Sequence, residues 1–96
     1  MGTFSIISTS VVKYYNTDGD GFVANGSFEV MDGNLFKLKG VVYDEDFMRT
    51  YLGAFYGEFV DGKMQYKTKG NATRVREAIG AIEGYVNNMY LNNNQQ

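Results

Sequence analysis

The chain has 96 residues, with 9 Lys+Arg against 11 Asp+Glu for a formal charge of -2, and it contains neither His nor Cys. That composition excludes disulfides, thiolate metal sites, ordinary zinc centres and Ser-His-Asp or Cys-His catalysis, since each requires an imidazole or a thiol. With 44% hydrophobic and 21% charged residues it predicts one globular domain over residues 1–91, followed by a polar disordered tail over 92–96.

Residues 3–15 are rich in β-branched side chains but alternate only in part. Phe4 and Ile6 fit one face while Ser8 and Ser10 break it, so a strand with a bulge is expected. No basic leader precedes it, and no apolar run reaches the roughly 18 residues a membrane span needs, so a cytoplasmic protein is expected. The next stretch, Asn16-Thr17-Asp18-Gly19-Asp20-Gly21-Phe22-Val23, resembles the front half of an EF-hand or dockerin calcium loop. Asn16, Asp18 and Asp20 stand at the first, third and fifth places, Gly21 at the sharp turn, and Phe22 and Val23 at the seventh and eighth. The resemblance implies a weak Ca²⁺ site on Asn16, Asp18 and Asp20; Ser27 stands at the twelfth place, where the family carries a bidentate Glu. The turn preferences of Asp and Gly also account for the stretch as a hairpin reversal between strands.

Strands are predicted over 21–31 and 35–43. Phe22, Ala24, Phe28 and Val30 share one face with Phe36, Leu38 and Val42, while Glu29, Lys37 and Lys39 lie opposite. A three-residue loop Asp32-Gly33-Asn34 would pair Met31 with Leu35 and set Gly26 against Gly40, leaving a shallow place where something bulky can pack. Asp44-Glu45-Asp46 reads as an acidic turn, because neighbours in one loop do not supply the separated carboxylates of a hydrolase.

The next strands, 48–60 and 63–69, flank a two-residue Asp61-Gly62 turn that pairs Val60 with Lys63. This register sets Phe59 opposite Met64, Gly57 opposite Tyr66 and Phe55 opposite Thr68. Arg49, Tyr51, Gly53 and Phe55 then share one face. Leu52, Ala54, Tyr56 and Glu58 share the other, with Gln65, Lys67 and Lys69 beside them.

From Asn71 the period lengthens. Val75, Ala78, Ile79, Ile82, Tyr85, Val86, Met89 and Tyr90 form the stripe of an amphipathic helix over 72–91, capped by Asn71 or Thr73. The predicted fold is thus α+β, a five-stranded antiparallel meander with one helix across one face.

A single helix of about 30 Å cannot cover 8 Tyr and 7 Phe in such a sheet. The expected function arises from that surplus: a small non-enzymatic module, with no cofactor, that binds a protein partner or itself as a homodimer. Tyr51, Phe55, Tyr56, Gly80 and Gly84 are the expected contacts, the two glycines because each costs a helix about 1 kcal/mol and so implies a close neighbour. The alternative is a ligand-binding module for single-stranded nucleic acid, with Lys37, Lys39, Arg49, Lys67 and Lys69 beside Tyr43, Tyr51, Phe55, Tyr56 and Tyr66, or for Ca²⁺ at residues 16–21. Net acidity counts against nucleic acid. Met48, Met64, Met89, Tyr85 and Tyr90 are expected either under the helix or in an adaptable apolar surface.

Overall fold

The computed structural model describes residues 3–6, 11–19, 21–45 and 50–88. Strands β1 (Thr3–Ile6), β2 (Val12–Gly19), β3 (Phe22–Met31), β4 (Asn34–Asp44), β5 (Tyr51–Val60) and β6 (Lys63–Gly70) form one antiparallel meander in sequence order. Helix α1 (Ala72–Val86) then lies against β5 and β6. The α+β class and the C-terminal helix are as the sequence predicts. The sheet does not close on itself, and β1 and β6 are its edges.

One expected strand is divided. Thr3 pairs with Asp18 and Ile6 with Tyr15, so the chain reverses between Ile6 and Val12. Residues 3–15 therefore hold two antiparallel strands where the sequence predicts one, and Ser8 and Ser10, where a bulge is expected, lie outside the described residues. Beyond the ladder, the buried Thr17 hydroxyl donates to the Thr3 carbonyl at 2.7 Å and fastens β1 to β2.

The hairpins obey turn chemistry. Asp32 and Gly33 both have positive φ, as do Asp61 and Gly62, the conformation a two-residue reversal demands. Val60 pairs with Lys63 and the remaining β5–β6 register is as expected. The β3–β4 turn is one residue shorter than the predicted loop, pairing Met31 with Asn34. An irregularity after Glu29 restores the expected register, so Gly26 does face Gly40.

Tyr15 fills the space this glycine pair leaves. Its ring stands beside Phe28, with centroids 6.3 Å apart, and its hydroxyl donates to the Lys39 carbonyl at 2.9 Å. A Cβ on Gly40 would meet that hydroxyl and come within 3.0 Å of the Phe55 ring. On the neighbouring strands Tyr66 leans over Gly57, edge-on to Phe55 at 6.1 Å, and its hydroxyl donates to Glu83 of α1. Burial holds the Tyr15 phenol well above its ordinary pKa; Tyr66 moves the same way, first through burial and then through Glu83.

Those shifts have a sign. The unfolded chain gives up both phenolic protons near pH ~10 and the folded chain only above that, so their contribution is whole below pH ~10 and fades above it. Urea midpoints are expected to stay level from neutral pH to about pH 9 and to fall beyond pH ~10. Tyr66→Phe should remove part of that fall, and an unchanged alkaline profile in this variant would contradict the assignment.

The helix is built as predicted over its described length. Asn71 is the N-cap, its side chain accepting the Arg74 N–H at 3.1 Å, and Val75, Ala78, Ile79, Ile82 and Val86 are buried. Met64 and Tyr85 pack half-buried against this core, which places them under the helix; Met48, Met89, Tyr90 and the tail over 92–96 lie outside the described residues.

Arg74 has a role its helical spacing does not reveal. Its guanidinium donates to the Gly21 carbonyl at 2.8 Å and stands 3.5 Å from Asp44, tying the start of the helix to the β2–β3 turn and the acidic loop. That loop is closed by the Asp44 N–H donating to the Thr50 carbonyl at 2.9 Å.

Candidate interaction surface

With α1 on one face, the other face of the sheet is left without a covering layer among the described residues. Strand alternation and register arrange its side chains in rows that cross the strands. One row runs Tyr14, Ser27, Lys39, Tyr56, Lys67 from β2 to β6. Beside it lie Asn16, Asn25, Val41, Ala54 and Lys69, and on the other side Val12, Glu29, Lys37, Glu58 and Gln65. Tyr14 is 51% exposed and Tyr56 40%.

The register of β4 on β5 shifts between Val42 and Tyr43, and this decides which aromatic rings face out. Val42 pairs with Gly53 but Tyr43 pairs with Tyr51, so Leu52 is the extra residue and turns into the core. Tyr51 is thereby moved off the face of Phe55, where simple alternation puts it, and onto the outer face. There it is 54% exposed and meets Tyr43 edge-on at 6.0 Å.

The expected contacts are thus divided among three environments. Tyr51 and Tyr56 share the outer sheet face. Phe55 does not belong with them: it is buried beneath the helix layer between Tyr66 and the Gly40 backbone, so its place among the surface contacts is corrected to the core. Gly80 and Gly84 lie on the far side of α1, and among the described residues nothing beyond the helix's own neighbouring backbone comes within 4 Å of a Cβ built on either. The close neighbour that their helical cost implies is not the sheet.

This makes a direct test of the glycines. Gly80→Ala and Gly84→Ala are each expected to stabilise the isolated protein by about 0.5 to 1 kcal/mol, from helix propensity alone. A thermal melt showing either variant destabilised would mean that the space beside it is occupied.

The structure places Asn16 and Asp18 two apart on β2, exposed on the outer face, opposite Asn25 and Val23. Asp20 lies outside the described residues. Backbone from Val12 to Gly19 is extended and paired with β3, and from Tyr15 to Asp18 with β1 as well, whereas the loop it resembles wraps its carbonyls and carboxylates around an ion. Among the described residues no three acidic side chains converge.

Tyr14 is the member of the central row that alternation alone does not single out, because the face of β2 is legible only once Tyr15 is placed over Gly26. Lysines dominate the cationic side of the surface. None of Lys39, Lys67 and Lys69 has a carboxylate within 4.0 Å among the described residues, and Lys37 stands 5.6 Å from the Phe36 ring. Shallow hollows flank Tyr56, one lined by Ala54, Lys67, Thr68 and Lys69, the other by Asn25, Gly26, Lys39 and Val41. A further hollow beside Tyr56 is lined by Ser27, Glu29, Lys37 and Lys39, and such a surface can hold an extended or flat partner. No protein-family model, curated protein or solved structure matches the chain.

Proposed function

We propose that the protein is a small non-enzymatic interaction module that presents the outer face of its sheet to a protein partner, in the cytoplasm. The observation that carries this reading is the exposure of Tyr14, Tyr51 and Tyr56 on a sheet face that no element of the chain covers among the described residues. Tyrosine supplies large contact area with few torsions to freeze, and it is enriched where proteins meet. A second copy of the chain is the weaker candidate for this face, because docking two such faces brings lysine-rich surfaces of the same sign together.

Affinity capture from the native host tests the reading. A partner retained by the wild type is expected to be lost with Tyr51→Ser/Tyr56→Ser and kept with Gly80→Ala/Gly84→Ala. The reverse pattern would move the interface to the helix and defeat the proposal. Light scattering on the purified protein decides the homodimer, which requires twice the monomer mass.

A further inference from the structure

We infer that the occupant of this face is an extended acidic segment of the partner, laid along β5 between the lysines of β4 and those of β6. The inference rests on the protein-interaction reading above and names the chemistry of what binds. Along β5 the outward positions that follow Tyr51 include Ala54, Tyr56 and Glu58, and the register sets lysines on both flanks of these three: Lys37 opposite Glu58, Lys39 and Lys67 on either side of Tyr56, and Lys69 opposite Ala54. Same-face residues on a strand recur every ~6.7 Å, and β4 and β6 lie two strand spacings apart, about 9.6 Å. An extended peptide carries its own alternate side chains at that same ~6.7 Å period. Acids at every second position therefore come into step with Lys67 and Lys69 on one side and with Lys37 and Lys39 on the other.

Charge complementarity selects the occupant. The chain as a whole is acidic, at -2, yet four of its cations gather on this one surface, and Lys39, Lys67 and Lys69 have no carboxylate in salt-bridge reach among the described residues. Of the face's own carboxylates, Glu29 and Glu58 lie toward its Lys37 end and Asp18 lies on β2, four strand spacings or about 19 Å from β6, so the open positive field is at the Ala54–Lys69 end of β5 and β6. An anionic segment is steered to this face and repelled by the rest of the molecule, which fixes where it docks and in which direction. The hollow of Ala54 and Thr68 beside Tyr56 takes small aliphatic side chains interspersed with the acids.

Single-stranded nucleic acid is also anionic and periodic, but it is held by successive bases on successive ring faces. Between the two lysine flanks there is one ring, Tyr56. Tyr14 is three strand spacings away, about 14 Å, and Tyr43 and Tyr51 are set edge-on to each other, with 75° between their planes.

The test is amide shift mapping of the ¹⁵N-labelled protein with three probes: a peptide of alternating Glu and Val, the corresponding Lys and Val peptide, and oligo-dT. The Glu/Val peptide should shift β4, β5 and β6 amides around Tyr56, and should weaken as salt rises. Lys67→Glu/Lys69→Glu should weaken it about tenfold or more, two exposed charge pairs being lost and reversed. Arg76→Glu, on the helix, should leave it unchanged. Tighter binding of oligo-dT to the same residues would assign the face to nucleic acid and overturn the inference, as would indifference of the peptide to charge reversal. A captured partner lost with Tyr51→Ser/Tyr56→Ser but retained by Lys67→Glu/Lys69→Glu would overturn the acidic segment while leaving the sheet-face reading intact.

Discussion

Tyr15→Ala is expected to lower the stability of the protein by about 3 to 5 kcal/mol, the range for deleting a fully buried ring. Tyr15 is 1% exposed and spans the one place where two glycines face each other across the β3–β4 pair. The void cannot be filled from below, since Gly26 and Gly40 carry no side chain, so little of the loss is recovered by collapse. The same geometry predicts non-additivity. Gly40→Ala introduces a methyl against the Tyr15 hydroxyl and 3.0 Å from the Phe55 ring, an overpacking that costs about 1 to 3 kcal/mol. Tyr15→Phe removes the hydroxyl and its bond to the Lys39 carbonyl, at about 1 kcal/mol. In the double variant the hydroxyl's share of the obstruction is gone and only the Phe55 contact remains, so urea unfolding should give a total smaller than the sum by about 1 kcal/mol. Strict additivity would mean that the Tyr15 hydroxyl does not occupy the space over Gly40.

Gly26 and Gly40 are also where the sequence is most legible. Alternation with period two and a turn signal between two strands suffice to put them opposite each other, and even the misjudged turn length does not spoil the result, because the irregularity after Glu29 compensates for it. The last hairpin is legible for the same reason, its Asp61-Gly62 turn admitting one register. What alternation cannot reveal is a residue that steps out of it. Leu52 is such a residue: nothing in its type marks it as extra, yet its insertion sends Tyr51 to the opposite face.

Alternation separates two faces of a strand without saying which of them the helix will cover, and that is why Phe55 reads equally as core or as surface. The division of residues 3–15 is hidden differently, because four residues, Thr3–Ile6, are too few for periodicity to distinguish them from the adjoining β2 strand. Arg74 is hidden by distance. Its partner Gly21 is 53 residues earlier in the chain, and a cation on the polar side of a helix pattern carries no mark of a long-range bond. For the candidate surface, Tyr56, Lys67 and Lys69 emerge from strand pattern alone. Their meeting with Lys39 and Tyr14 depends on all five strands keeping register.

Ile82→Ala is the second large effect expected, about 2 to 5 kcal/mol. Ile82 is fully buried within the apolar stripe of α1, with Val75, Ala78, Ile79 and Val86 above and below it. The helix cannot readily sink into the vacated space, because it is held on both sides of the deletion. At its start, Arg74 is bonded to the Gly21 carbonyl, and the Asn71 N–H donates to the Leu52 carbonyl at 2.8 Å. Immediately after Ile82, Glu83 accepts the Tyr66 hydroxyl. A cavity pinned this way persists, which favours the upper part of the range, whereas Ile82→Val removes one methyl and should cost only about 0.5 to 1.5 kcal/mol. Since α1 is what closes the inner face of the sheet, both variants should unfold in one transition reported alike by helix and tyrosine signals. Loss of the helical signal at lower urea than the tyrosine signal would show that the sheet stands without its helix, and that the layer opposite the candidate surface is not what keeps it in place.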